Sequence, residues 1–178
     1  MLGGYSSERH ISVESGRNIF EKLSSSGKYN PIPVFLTGDS NSFQLFQIPV
    51  NLLLKDNADD IREKILHFNT HPLINEIRKE CGTITSKFAG GDYNFAPQLI
   101  SLNDLKQKVE QVFIALHGRP GEDGALQAEL EKLGLPYNGS GVASSQTTIN
   151  KFNTNQLLAK NGFKISGQLM VYKNEFIT

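Results

Sequence analysis

Two glycine-rich turns, each set between a short apolar run and a segment of helical period, constrain this chain more than anything else in it. The first, residues 3–9, follows Met1-Leu2 and opens a stretch where Val13, Gly16, Phe20 and Leu23 recur at three- and four-residue spacing. That stretch ends at Ser26-Gly27, the glycine supplying a left-handed helix stop. The second turn, residues 117–124, follows Val112-Phe113-Ile114-Ala115-Leu116, a continuous apolar run suited to a central parallel strand buried on both faces. It opens a helix carrying Leu126, Leu130 and Leu133, with Gly134 at its end. Strand, turn and helix in repeated succession specify an α/β domain, a three-layer α/β/α Rossmann-like fold with a mainly parallel sheet. Ligands of such sheets sit at the carboxyl ends of strands, on the loops entering helices, so the same two turns form the candidate site.

The rest of the chain fits this frame unevenly. Ile32-Pro33-Val34-Phe35-Leu36 reads as a buried strand whose proline belongs at its start or at an edge. Residues 41–100 read as a helical insertion. Asp56 to Asp60 supplies cap and acidic first-turn residues, and Ala58, Ile61, Ile65 and Phe68 make an apolar stripe. A second helix begins at Pro72, where a missing N–H does no harm, and stops at Gly82. The stripe suits either packing on the sheet or a homodimer contact. Ser101 and Asp104 make a capping-box start to a helix through Val109. A strand and turn at residues 136–141, a helical stretch to Gly162 and a strand from Ile165 to Tyr172 complete the reading.

Several functional classes are excluded by charge and residue usage. Eighteen basic residues balance eighteen acidic ones, so the basic surplus of a nucleic-acid-binding domain is missing. Cys81 is the single cysteine, which fits a reducing compartment, and no apolar run approaches the length of a membrane span. The opening residues lack the pattern of a signal peptide. A cytoplasmic protein is expected, with no membrane or nucleic-acid partner. The four histidines lack metal-ligand spacing, and no G-x-S-x-G elbow occurs.

Within the two turns, a few side chains can carry chemistry. Glu8 stands at the start of a helix, where the macrodipole favours its ionised form, and a carboxylate beside a cleft receives an ammonium group. The alternative is a helix cap paired with Arg9 or His10. His117 ends a buried strand and suits either a hydrogen bond to a carboxylate, Glu8 included, or a purely local turn contact. Asp123 is most simply an N-cap. The glycines at 118, 121 and 124 match neither a dinucleotide fingerprint nor a P-loop.

Taken together these residues resemble the D-alanine–D-alanine ligases, ATP-grasp enzymes of peptidoglycan precursor synthesis. The resemblance rests on His117-Gly118-x-x-Gly121-Glu122-Asp123-Gly124-x-Leu126-Gln127-Ala128 and on Leu2-Gly3-Gly4-x-Ser6-Ser7-Glu8-Arg9-x-Ile11-Ser12. Leu135-Pro136-Tyr137-x-Gly139-Ser140-Gly141-Val142 and Lys151 follow in the family's order. It implies a pre-ATP-grasp substrate domain over residues 1–141 and the start of the central ATP-grasp domain over 142–178. It implies ATP and Mg2+ as cofactors, with a carboxylate phosphorylated and then attacked by a second amine. Glu8 would be the catalytic and ammonium-binding residue, the Ile11 backbone would lie nearby, and His117 would help order Glu8. Glu122 would shape the turn, and Lys151 would reach the ATP phosphates, although Asn150 replaces the family's usual aspartate. No metal ligand of the family falls within the chain. The family's opening strand is longer than Met1-Leu2, and its lid, arginine and metal ligands lie downstream. Residues upstream of Met1 are therefore expected, and the chain alone is expected to bind the first D-alanine without turning it over. Two other readings remain open here: an ATP-grasp ligase for a different amino acid within a larger chain, and a non-catalytic amino-acid-binding module.

Overall fold

The chain's structure, a computed structural model, describes residues 1–69, 71–88 and 94–172. The amino-terminal half runs β1 (Leu2–Gly3), α1 (Arg9–Ser25), β2 (Val34–Gly38), β3 (Phe43–Gln47), α2 (Val50–Lys55) and α3 (Ala58–Leu66). It continues through α4 (Pro72–Glu80), α5 (Gly82–Phe88), β4 (Gln98–Ile100) and α6 (Leu102–Lys108). The rest is α7 (Ala125–Leu133), α8 (Val142–Thr148) and α9 (Lys151–Lys160). Among the described residues no helix is long and apolar enough to cross a membrane.

The helix ends follow local chemistry. Asn57 accepts from the backbone N–H groups of Asp59 and Asp60 at the start of α3, and Pro72 occupies the first turn of α4. The capping box at Ser101 and Asp104 is present in both directions, which holds the Asp104 carboxyl below its ordinary range. Gly134 closes α7 in the left-handed conformation. Gly124, not Asp123, is the N-cap of α7, because the glycine takes φ 86° there; Asp123 Oδ1 accepts from Ala125 N–H one residue further in.

The sheet is mixed, in the order β1-β2-β3-β4. β1 pairs parallel to β2, whereas β3 pairs antiparallel with both β2 and β4. Parallel pairing extends on the other side of β1. The Met1 nitrogen donates to the Phe113 carbonyl (2.6 Å), Ala115 N–H donates back to Met1 (2.9 Å), and Val112 bridges Tyr137 in parallel. Residues 112–116 therefore hold the central place expected of them, but only this bridge is regular. Phe113 is 40% exposed, so that run is not buried on both faces throughout. The insertion is not purely helical either: β3 and β4 both belong to it, because the hairpin at Asp39–Ser42 turns the chain back along β2. The strand expected at Ile165–Tyr172 is missing; those residues carry no regular element, and Leu169 and Tyr172 stand in solvent.

Alternation along β2 divides the core. Val34 and Leu36 face a cluster with Leu45, Leu105, Ile114, Leu116, Leu126 and Leu130, while Phe35 faces Leu2, Val13, Leu53, Ile61 and Ile65. The helices of the two clusters lie on opposite faces, which gives the three layers. The insertion's stripe is split accordingly: Ala58, Ile61 and Ile65 are buried on α1 and α2, and Phe68 is exposed.

One hydroxyl joins these layers. Ser12, fully buried in α1, accepts from Gly3 N–H (2.8 Å) and donates to the Ala115 carbonyl (2.9 Å). Ser12→Ala leaves a buried donor and a buried acceptor unpaired, so it should lower unfolding free energy by about 3 kcal/mol in urea denaturation. A second prediction concerns Tyr137, whose hydroxyl donates to Glu131 (2.6 Å); that bond, with some burial, pushes the phenol up to about 12. The bond's contribution is complete below the ordinary phenol value of about 10 and is lost as pH rises towards 12. Phenolate absorbance should show this late titration, and Glu131→Gln should return it towards the ordinary value.

Candidate active site

The two glycine-rich turns meet face to face. Ser6 Oγ donates to the His117 carbonyl (2.7 Å) and accepts from Glu8 N–H (3.1 Å), so one hydroxyl ties the first turn to the second. Gly118, at φ 70°, lies against Ser6. A Cβ there would stand 2.8 Å from Ser6 Cβ and 3.9 Å from Glu8 Oε2. The approach is possible only because the position carries no side chain. Gly121 is equally closed in, since a Cβ would come 2.3 Å from Leu116 Cβ. Its N–H and that of Glu122 both donate to the Gly118 carbonyl, which tightens the turn.

Glu8 is the N-cap residue of α1, yet its side chain makes no capping bond. Its two basic neighbours are engaged elsewhere. Arg9 makes two hydrogen bonds to Asp59 of α3, and His10 Nε2 lies 3.2 Å from the same carboxylate. The Arg9 hydrogen bond holds the Asp59 carboxyl below its ordinary value. The cap-and-pair alternative for Glu8 is therefore not what the chain adopts, and among the described residues its carboxylate has no partner. Beside it, Arg9 N–H reaches the Ser6 carbonyl (3.3 Å) and Ser12 N–H reaches the Glu8 carbonyl (3.0 Å), while the N–H groups of His10 and Ile11 have no acceptor among the described residues. The first turn of α1 thus presents free donors, at the positive end of a 17-residue helix, next to a free carboxylate.

The His117 ring is half-buried and bonded through Nε2 to Ser15 Oγ (2.9 Å), two turns along α1 from Glu8. No hydrogen bond joins it to Glu8. Glu122 and Lys151 stand on the far side of the second turn. They line a cavity of about 370 Å3 with Gly121, Gln127, Ser140 and Ser145. Both are exposed, and Lys151 is the first residue of α9, whose cap is Asn150 through a bond to Asn153 N–H. The site residues thus form two groups, Glu8, Ile11 and His117 on one side of the turn and Glu122 and Lys151 on the other. A larger cavity, about 630 Å3, lies at the opposite ends of the strands, among residues such as Met1, Pro31 and Gln111, away from either group.

Three contributors escaped sequence reasoning. Ser6 and Ser15 were unremarkable as residue types, and the spacing of Ser12 and Ser15 on one helical face was the only sign of the second. Gln127, read only as part of a motif, is buried. It donates through Nε2 to the Gly121 carbonyl (2.6 Å), which orients its amide, and its Oε1 has no protein partner.

Comparison with known proteins bears directly on this geometry. The family model described as D-ala D-ala ligase N-terminus matches residues 1–140. The chain belongs to this family. A D-alanine–D-alanine ligase of Leptospira interrogans is 30% identical over 180 residues, covering 99% of this chain and 43% of its own length. The D-alanine–D-alanine ligase structure from Helicobacter pylori has a TM-score of 0.61 at 21% identity, covering 98% of this chain and 45% of that one. The D-Ala:D-Ser ligase from Enterococcus faecalis has a TM-score of 0.57 at 22% identity, covering 92% and 41%. The chain spans less than half the length of the curated relatives it matches. The structural likenesses show the fold, and the family match covers both glycine-rich turns.

The turn-to-turn contact gives a direct check. Gly118→Ala forces a side chain into the left-handed region and against Ser6, so it should destabilise the protein by about 2 kcal/mol in urea denaturation. Substitution of Gly139, which also has positive φ but open space around it, should cost less.

Proposed function

We propose that this chain supplies the first amino-acid subsite of an ATP-dependent D-alanine–D-alanine ligase. The observation that carries the reading is the unpaired Glu8 carboxylate beside the free N–H groups of His10 and Ile11. An amino-acid zwitterion needs an anionic receptor for its ammonium group and donors for its carboxylate, and this corner of the fold offers both within one helical turn. Family membership supports D-alanine as the amino acid and peptide-bond formation as the reaction.

In this reading Glu8 fixes the ammonium group and so turns the substrate carboxylate towards the mouth of the cleft. The rigid second turn, clamped by Ser6 and Gln127, forms the wall against which the substrate is oriented. ATP, when bound, supplies the phosphoryl group that makes a carboxylate an acylating agent. Lys151 suits that role as an exposed cation at the start of α9, with Glu122 across the same cavity. The chain fits magnesium poorly: among the described residues no three acidic or histidine groups cluster so as to hold a metal ion. No step is assigned to a metal held by these residues. The domain boundary near residue 141 belongs to the same proposal, as do a cytoplasmic setting and a homodimer; residues 173–178 of the second unit lie outside those described. The Enterococcus faecalis relative, named as a D-Ala:D-Ser ligase, supports a variation in which the same first subsite serves a different second substrate.

The test is ATP-dependent phosphate release by the full natural chain with D-alanine, L-alanine and D-serine. Release should require D-alanine, and Glu8→Gln should lower kcat/KM for it about 100-fold, the loss of charge-assisted bonds to an ammonium group. Undiminished activity in the variant would remove Glu8 from the subsite. Release with none of the three amino acids would sink the ligase reading itself.

A further inference from the structure

The bond between Ser15 and His117 decides which face of the imidazole is free. Ser15 sits in the interior of α1, where a serine hydroxyl often donates to the carbonyl four residues earlier. Ser25 in the same helix does so, giving its proton to the Glu21 carbonyl at 2.8 Å. Ser15 makes no such bond to the Ile11 carbonyl; its only side-chain partner among the described residues is His117 Nε2, at 2.9 Å. A hydroxyl proton with one acceptor within reach belongs on that acceptor. Nε2 of the neutral ring is then the accepting nitrogen, and the ring's own proton resides on Nδ1.

The backbone of His117 is held independently. Its carbonyl accepts from Ser6 Oγ, and the following Gly118 packs on Ser6 within 3.9 Å, measured from its Cβ position, of Glu8 Oε2. The ring is therefore fixed from α1 and its main chain from the first turn. Nδ1–H has no acceptor among the described residues.

We propose that Ser15 is a positioning residue that locks neutral His117 in the Nδ1–H form, making it a hydrogen-bond donor to a carboxylate oxygen in the cleft. The inference rests on the amino-acid-binding reading for its function, but the tautomer itself does not. Two carboxylates meet the description: that of Glu8, drawn in when the ammonium group binds, and that of the amino acid. In either case His117 serves anionic oxygen and cannot be the acceptor for the substrate ammonium group.

Long-range 1H–15N spectra of the full natural chain, recorded at a pH of about 9 where an ordinary imidazole is neutral, report the tautomer directly. The wild type should show the Nδ1–H pattern, and Ser15→Ala should shift it towards the Nε2–H form favoured by free imidazole side chains. Ser15→Thr, which keeps the hydroxyl, should restore it. An Nε2–H ring in the wild type, or a tautomer unmoved by Ser15→Ala, overturns the proposal whatever the enzyme does. Saturating D-alanine should perturb Nδ1 in the wild type, and a ring that does not respond to it overturns the donor role; a response that persists in Glu8→Gln makes the amino acid, not Glu8, the acceptor. In turnover, Ser15→Ala should raise KM for the first amino acid about tenfold, the loss of one hydrogen bond to a charged group, with recovery in Ser15→Thr. An unchanged KM beside the predicted spectra would refute the donor role. The spectra with no turnover of any amino acid would leave the tautomer standing and remove the ligase reading.

Discussion

The Ser12 hydroxyl is the contact on which the arrangement of the site depends. A parallel β1 of two residues offers little ladder of its own, and Gly3 N–H faces away from β2 towards the helix. Ser12 accepts that proton and returns its own to Ala115, three residues before Gly118. The start of α1, the end of β1 and the end of the central run are thereby held at one point in the dry interior. There a hydrogen bond is worth more than at the surface, and its loss leaves groups that water cannot reach. Both glycine-rich turns leave from this point, so their separation is set before any of their own contacts form. Ser6 then closes the short remaining gap.

Close approach is the second constraint. Gly16 lets α1 settle on Leu2, since a Cβ there would come 2.8 Å from Leu2 Cβ, and Gly118 and Gly121 do the same for the second turn. The glycines look like flexible loop residues in the sequence. In the fold they are contact points, and the turns are stiff because bulk is missing where the chains meet. A stiff wall suits the proposed amino-acid subsite, because one methyl group in a yielding pocket changes little.

What could be read in advance follows from range. Helix boundaries were legible because caps are local: Asn57, Pro72, Ser101 and Gly134 act within one turn of themselves. The two turns were legible as a candidate site because glycine and acidic residues before a helix are unusual in combination. The direction of the strands in residues 41–100 was not, since β3 and β4 are set by pairing with β2 rather than by their own composition. Phe43 to Gln47 alternates too weakly to declare a strand, and it becomes one only on the exposed edge of β2. Residues 165–172 show the converse, apolar enough for a strand yet carrying no regular element. The partner of His117 was invisible for the same reason, because 102 positions separate it from Ser15.

The insertion, the part least legible in sequence, turns out to bear on the site's electrostatics. Glu8 is followed directly by Arg9 and His10, two basic side chains near enough in sequence to compete for its carboxylate. Asp59 intervenes. It stands at the second position of α3, where it is anchored by the Asn57 cap, and α3 itself is fixed by burying Ala58, Ile61 and Ile65. From there its carboxylate takes both side chains, Arg9 through two hydrogen bonds and His10 through one close contact. Exposed pairs of this kind contribute little to stability. Their consequence is directional: the basic side chains nearest Glu8 are turned towards α3, and among the described residues the Glu8 carboxylate is left without a partner. A carboxylate already paired within the protein would have to exchange one cation for another to bind an ammonium group, and most of the gain would cancel. By holding the competing side chains, a surface helix of the insertion leaves Glu8 available to the ammonium group of the proposed subsite.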